Sequence, residues 1–124
     1  MGVWFAVAIG GAVGSTLRHG VNKIFSRWVT TIPVATMTVN VTGCFIIGLL
    51  AGLLAADRIS LRFYWREFVF VGVLGGYTTF STFGLDTFLL ERTHSWPAAL
   101  ANIAIQVIGG LAAVWAGHEL GLRA

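Results

Sequence analysis

The chain has 124 residues, of which 56% are hydrophobic and only 10% are charged. A soluble domain carries about 25% charged residues, so this composition excludes an ordinary water-soluble fold. The formal charge of +3 comes from basic residues that flank apolar segments and form no patch, which argues against nucleic-acid binding. A single cysteine excludes an intrachain disulfide, and no nucleophile–base constellation or metal-ligand spacing indicates an enzyme.

Four charge-free stretches organise the sequence. They cover residues 1–17, 28–56, 68–85 and 95–117. A membrane-spanning helix needs about 20 mostly apolar residues, and each stretch with its flanks can supply them. We therefore predict an all-α membrane protein with four transmembrane helices, short loops and one domain covering residues 1–124.

The first predicted helix covers residues 3–24. Gly10 and Gly14 are four residues apart and allow another helix backbone to approach closely. Arg18 near its end has two interpretations: it reaches back to the membrane interface, or it faces an aqueous vestibule and attracts anions. Lys23, Arg27 and Trp28 then mark the first loop and its membrane interface.

The second predicted helix covers residues 33–55 and has a polar face. Thr36, Asn40 and Gly43 recur at helical spacing on that face. An amide at membrane depth needs partners or water. Asn40 therefore either makes an interhelical hydrogen bond or presents an amide donor to an anion, and the sequence leaves both open.

The third predicted helix, residues 68–90, contains the sequence GGYTTFSTFG at residues 75–84. Gly and β-branched Thr weaken a helix, and hydroxyl side chains compete for backbone hydrogen bonds. Irregular backbone at membrane depth occurs only where protein buries it or where it lines a wet cavity. The stretch therefore predicts a helix break near the middle that carries a site. The alternative is that its small residues only allow close helix packing.

The fourth predicted helix covers residues 96–120. Asn102 and Gln106 lie one turn apart on one face. They either bond to neighbouring helices or extend a polar track.

The basic residues are evenly divided between the two sides of the predicted membrane topology. Four lie with the N-terminus, second loop and C-terminus, and four lie with the other two loops. Because a Lys/Arg excess sets orientation, this balance predicts insertion both ways and permits an antiparallel dimer. The first group is Arg58, Arg62, Arg66 and Arg123, and the second is Arg18, Lys23, Arg27 and Arg92.

Three sequence segments together resemble the Fluc (CrcB) fluoride channels along nearly the whole chain. They are GGAVGSTLRH at residues 10–19, TMTVNVTGCFIIG at 36–48 and GGYTTFSTFGLD at 75–86, of which the last is highly specific. His19 and Asp86 depart from the tyrosine and glutamate that this family often has there, and the fourth helix matches least well.

The resemblance implies an antiparallel, dual-topology homodimer in a bacterial inner membrane, with two pores that export fluoride passively and protect the cell from fluoride. It also implies a structural sodium ion at the dimer interface, held by the backbone carbonyls of Gly75 and Thr78. Asn40, Phe80 and Phe83 would line the pores. We add to this expected pathway Thr36, Ser81, Thr82 and Gln106, with Arg18 at the vestibule.

The chemistry of these residue types agrees with that expectation. Aromatic rings have a positive edge, so Phe80 and Phe83 can offer C–H groups to an anion without a full charge. Conduction requires weak binding at several sites. Donors from Asn40, Ser81 and Thr82 can replace part of the hydration shell of fluoride.

Two other functions compete with the channel interpretation. A proton-coupled exporter of the small multidrug resistance type also uses four short helices and dual topology, but it needs a membrane-embedded carboxylate. Asp86, near a helix end, is the only candidate. A non-transporting assembly protein would explain the small residues but not the clustered hydroxyls, amides and aromatic pair.

Overall fold

A computed structural model describes residues 2–27 and 32–124, and the predicted interfacial Trp28 lies outside this range. All regular structure in the described ranges is helical. The helices are α1, Gly2–Phe25; α2, Val34–Ala55; α3, residues 63–77; α4, Phe80–Thr93; and α5, Trp96–Arg123. Helix α3 consists of a first turn Phe63–Arg66, a π-helical segment Glu67–Leu74 and a last turn Gly75–Tyr77.

Within the described ranges, three helical segments are long and apolar enough to cross a membrane. They are Val34–Ala55, Phe63–Thr93 and Trp96–Arg123. Helix α1 has 24 residues but is not among them. Its glycines and the polar residues around Arg18 lower its mean hydropathy. Its role as a fourth span remains a prediction.

The helices pack in two pairs, α1 with α3 and α2 with α5, and α4 lies against α5. Glycine brings the backbones together in both pairs. A Cβ atom added at Gly10 would lie 2.9 Å from the Cα of Gly72, and one added at Gly52 would lie 3.0 Å from the Cα of Gly121. Both distances are too short for a side chain. The small residues thus have the packing role that membrane helix pairs give them.

Large apolar side chains face outward, whereas few are fully buried. Val39 on α2 and Ala99 on α5 are each 1% exposed and belong to the small buried core. Outward-facing apolar residues occur on all five helices and include Ile9, Leu17, Ile46, Val71, Phe88, Ile108 and Leu111. Such a distribution suits a lipid environment.

The backbone is extended between α3 and α4. Thr78 has φ −83° and ψ 161°, and Thr79 has φ −155° and ψ 116°. Thr79 is the N-cap of α4, and its Oγ1 accepts from the backbone N–H of Thr82 at 3.3 Å. Since a Thr at this position satisfies an otherwise unpaired N–H, the sequence itself favours a new helix beginning at Phe80.

The third helical region differs from its predicted bounds. It begins at Phe63 rather than near Phe68, and it runs to Thr93 rather than to Leu90. The predicted start was placed after the last charge of the second loop. Arg66 and Glu67 are nevertheless helical, because a first turn at the membrane interface tolerates charged side chains.

Candidate functional site

A cavity of about 350 Å³ lies beside the extended residues Thr78 and Thr79. Its wall combines apolar side chains from α2, α3, α4 and α5 with a few polar groups, and it has no charged side chain among the described residues. The polar and aromatic wall residues are Asn40, Thr78, Thr79, Phe70, Phe80, Phe83 and Gln106. Six of the predicted site residues therefore border one cavity: Asn40, Gly75, Thr78, Phe80, Phe83 and Gln106.

Asn40 on α2 holds the extended backbone. Its Oδ1 accepts from the N–H of Thr79 at 2.8 Å, and its Nδ2 donates to the carbonyl of Thr79 at 3.1 Å. The same Nδ2 donates to Oε1 of Gln106 on α5 at 2.6 Å. Of the two interpretations left open above, the structure shows the interhelical hydrogen bond directly.

The amides continue towards α4. Gln106 Nε2 donates to Oδ1 of Asn102 at 2.9 Å, and Asn102 Nδ2 donates to Oγ1 of Thr87 at 2.8 Å. Gln106 is 8% exposed and Asn102 is 1% exposed. Buried polar groups need partners, and this network supplies them between α2, α4 and α5.

Phe80 and Phe83 lie on the first turn of α4 and both border the cavity. Their ring centroids are 5.4 Å apart with an angle of 55° between the ring planes. Phe80 is 81% exposed, so its ring lies at the outer rim of the cavity. A tilted pair of this kind can turn positive ring edges towards an electron-rich atom.

The remaining predicted hydroxyl residues do not lie on the cavity wall. Ser81 Oγ and Thr82 Oγ1 lie 3.3 and 3.1 Å from Oγ1 of Thr79, and so support the start of α4. Thr36 is buried near the start of α2, at 7% exposure. The structure therefore brings Asn40 and Gln106 to the cavity but separates these three from it.

The predicted cation-binding carbonyls have lost their helical partners. The N–H that would normally bond to the carbonyl of Gly75 belongs to Thr79 and donates to Asn40 instead. The N–H that would bond to the carbonyl of Thr78 belongs to Thr82 and donates to Oγ1 of Thr79. Carbonyl oxygens suit a hard cation, so the carbonyl of Gly75 fits the implied sodium site, whereas that of Thr78 already accepts from the guanidinium of Arg18.

Arg18 approaches the same extended segment from α1. Its Nη1 donates to the carbonyl of Thr78 at 3.2 Å, and the residue is half-buried. The side chain thus does not simply extend away from the protein to an interface. It places a positive charge beside the extended segment and binds one of the two carbonyls that the resemblance implies for sodium.

Comparison with known proteins identifies the family of the chain. The family described as "CrcB-like protein, Camphor Resistance (CrcB)" matches residues 5–118. The chain belongs to this CrcB family.

Curated relatives in the CrcB family cover nearly the whole chain. One from Symbiobacterium thermophilum, named "Fluoride-specific ion channel FluC 2", is 43% identical over 122 residues, covering 94% of this chain and 95% of the relative. One from Solibacter usitatus, named "Fluoride-specific ion channel FluC", is 43% identical over 121 residues, covering 97% and 98%. A relative of the same name from Azotobacter vinelandii is 43% identical over 119 residues, covering 94% of each chain.

Two residues of this CrcB chain take part in the network although sequence reasoning assigned them no role. Thr79 supplies the N–H and the carbonyl that Asn40 binds. Thr87 links Asn102 to α4 and donates to the carbonyl of Phe83 at 2.8 Å. The hydroxyl cluster could have indicated Thr79 as a helix N-cap, because a Thr side chain can accept from the N–H three residues later, here that of Thr82, where a helix begins. Thr87 gives no comparable signal.

Proposed function

We propose that this protein is a fluoride-selective channel that carries fluoride passively across a bacterial inner membrane and so protects the cell from fluoride. The observation that carries the proposal is the uncharged cavity in which Asn40, Gln106, Phe80 and Phe83 meet at the extended segment. Membership of the CrcB family supports it, as do relatives named fluoride-specific ion channels.

The cavity has the chemistry that passage of a small anion needs. Fluoride must exchange part of its hydration shell for donors that bind it weakly enough to release it. Ring edges and amide N–H groups are such donors, whereas a buried Lys or Arg would hold the ion too strongly. The start of α4 adds further N–H groups, because the first turn of any helix has N–H groups without intrahelical acceptors.

The working unit in this proposal is an antiparallel homodimer with two pores. Phe80 is 81% exposed at the rim of the cavity, so a second wall is needed to enclose a pathway there. A second copy inserted in the opposite orientation supplies that wall. The balance of four basic residues on each side permits both orientations, with four spans in each subunit.

A sodium ion at the dimer interface belongs to the same proposal. The carbonyls of Gly75 and Thr78 would hold it, since the N–H groups of Thr79 and Thr82 have other acceptors. The ion would add a fixed positive charge near the two extended segments and join the subunits.

A proton-coupled exporter is the second candidate, and Asp86 is the observation that favours it. Among the described residues, Oδ2 of Asp86 is buried and has no hydrogen-bond partner. Asp86 borders a separate cavity of about 420 Å³ together with Thr93 and His94, and not the cavity of Asn40 and Phe80. A carboxylate outside the main cavity makes exchange of drug for protons the weaker interpretation.

Fluoride efflux from proteoliposomes tests the proposal against this rival. Vesicles loaded with fluoride and containing the purified protein should release it when a permeant counter-ion is supplied, and vesicles loaded with chloride should not release chloride. Protein-free vesicles are the control. Exchange of a cationic drug for protons without fluoride efflux would replace the channel by the exporter.

A further inference from the structure

The hydrogen bonds that run from the backbone of Thr79 through the amides of α2 and α5 to Thr87 all have a fixed donor and a fixed acceptor. The backbone N–H of Thr79 can only donate, so the atom of Asn40 that faces it is Oδ1, at 2.8 Å. The Nδ2 of Asn40 must then face Gln106, which presents Oε1 at 2.6 Å. This leaves the Nε2 of Gln106 to donate to Oδ1 of Asn102 at 2.9 Å.

The other end of the network imposes the same direction. Asn102 Nδ2 donates to Oγ1 of Thr87 at 2.8 Å, and the Thr87 hydroxyl donates to the carbonyl of Phe83 at 2.8 Å. A backbone carbonyl can only accept. No amide between the two ends can turn over alone, because a donor would then face a donor or an acceptor an acceptor.

A count of N–H groups shows which amide has a donor left for an anion. Both N–H groups of Asn40 have acceptors, the carbonyl of Thr79 at 3.1 Å and Oε1 of Gln106 at 2.6 Å. Gln106 uses one N–H for Asn102, and its second has no acceptor among the described residues. Gln106 borders the cavity, whereas Asn102 does not. Of the two amide residues that border the cavity, Gln106 is therefore the one with an N–H group left to donate.

We propose that Gln106 supplies the amide donor of the fluoride pathway and that Thr87 and Asn102 are positioning residues that fix its orientation; this inference rests on the proposed channel function. Asn40 then shapes the site by holding Thr79 and Gln106. A fixed donor needs no reorganisation when an anion arrives, which is the advantage of an oriented network over a freely rotating amide.

The test removes the Thr87 hydroxyl without changing the shape of the side chain. In Thr87→Val, Asn102 loses the acceptor for its Nδ2, so the amides of Asn102 and Gln106 are held from the Asn40 end alone and Gln106 is less firmly oriented. Fluoride efflux per dimer should fall by about tenfold, the equivalent of one lost hydrogen bond. Thr87→Ser keeps the hydroxyl and should restore efflux to the wild-type rate, which a loss of packing alone would not predict.

A second comparison asks whether Thr87 acts through Gln106. Gln106→Met removes the amide at similar volume and should itself reduce efflux. Adding Thr87→Val to Gln106→Met should then cause no further loss, because the oriented group is already absent. If the two losses multiply, or if Thr87→Val conducts as fast as Thr87→Ser, the positioning role is overturned.

The controls separate this inference from the channel proposal. Absence of fluoride efflux in the wild-type protein would overturn the channel itself, whereas efflux that is insensitive to Thr87 and Gln106 would overturn only the network. Each variant is first compared with the wild type by gel filtration. If Thr87→Val does not elute like the wild type, Thr87→Ala replaces it in the same comparison with Thr87→Ser.

Discussion

Asn40 binds both backbone polar groups of Thr79, accepting from its N–H at 2.8 Å and donating to its carbonyl at 3.1 Å. One side chain thereby takes the place of the helical hydrogen bonds that the extended residue cannot make. Extended backbone in an apolar environment is costly unless such partners exist. The position of the cavity thus depends on a side chain of α2 as much as on the α3–α4 sequence.

The first prediction concerns Asn40→Asp. The carboxylate can still accept from the N–H of Thr79, but it cannot donate to the carbonyl of Thr79 or to Oε1 of Gln106. It also places a negative charge where fluoride must pass. We expect fluoride efflux from proteoliposomes to fall to the rate of protein-free vesicles. Wild-type efflux from Asn40→Asp at neutral pH would remove Asn40 from the pathway.

The second prediction concerns the aromatic pair. Phe80→Ile and Phe83→Ile keep apolar volume but remove the positive ring edge. Each should abolish fluoride efflux while the dimer still assembles, as measured by gel filtration of the purified protein. Phe80 is 81% exposed within one subunit, so its replacement should cost the subunit little stability.

Phe88→Ile is the matched control for this pair. Phe88 lies on the same helix and is 54% exposed, but it borders neither of the two cavities described above. Its ring lies beneath the guanidinium of Arg92, 5.3 Å from the centroid. Efflux should therefore remain normal in Phe88→Ile. Normal efflux in both Phe80→Ile and Phe83→Ile would show that the rings do not contact the ion.

The predicted helices and the helix break followed from local sequence properties. Each of the four charge-free stretches overlaps helical structure, with the third divided into α3 and α4, and the Gly–Thr composition of residues 75–84 indicated irregular backbone where Thr78 and Thr79 are extended. Both signals are local, since they depend on hydration and on the intrinsic preferences of neighbouring residues.

The hydrogen-bond network could not be predicted in the same way. Thr87 and Asn102 belong to different helices and meet because α4 packs on α5, a relationship that no periodicity in either helix specifies. The start of α3 at Phe63 was missed for a related reason, because hydropathy marks the apolar core of a span and not its charged first turn. Ser81 and Thr82 were expected on the pathway, but their hydroxyls lie beside Oγ1 of Thr79, an arrangement that follows from the N-cap of α4 and that the sequence pattern alone did not indicate.

The third prediction concerns packing between α2 and α5. A Cβ atom at Gly117 would collide with the backbone carbonyl of Phe45 and lie 2.8 Å from the N atom of Leu49. Backbone atoms cannot move aside as a flexible side chain can, so Gly117→Ala should destabilise the protein by roughly 1–3 kcal/mol. The measurement is thermal unfolding in detergent.

Gly20→Ala is the control for that substitution. Gly20 is an exposed glycine in α1, and a Cβ added there meets no atom within 4 Å. Because alanine favours a helix over glycine, Gly20→Ala should leave the melting temperature unchanged or raise it. An unchanged melting temperature in Gly117→Ala would show that α2 and α5 do not approach as closely as described.

The last prediction concerns orientation in the membrane. With four basic residues on each side, no excess fixes the topology, so a few added charges should decide it. Lysines added after Arg123 should hold the C-terminus in the cytoplasm. That variant alone gives subunits of one orientation, which cannot form an antiparallel dimer, so it should confer no fluoride resistance on a fluoride-sensitive cell.

A complementary variant makes this test specific for the antiparallel arrangement. Lysines added beside Lys23 and Arg27 should fix the opposite orientation, and this variant alone should also fail to confer resistance. Expressing both together should restore resistance, because each supplies the orientation that the other lacks. Labelling of the termini from one side of the membrane reports the orientation directly. Wild-type resistance from either variant alone, with a single orientation shown by labelling, would contradict the antiparallel dimer.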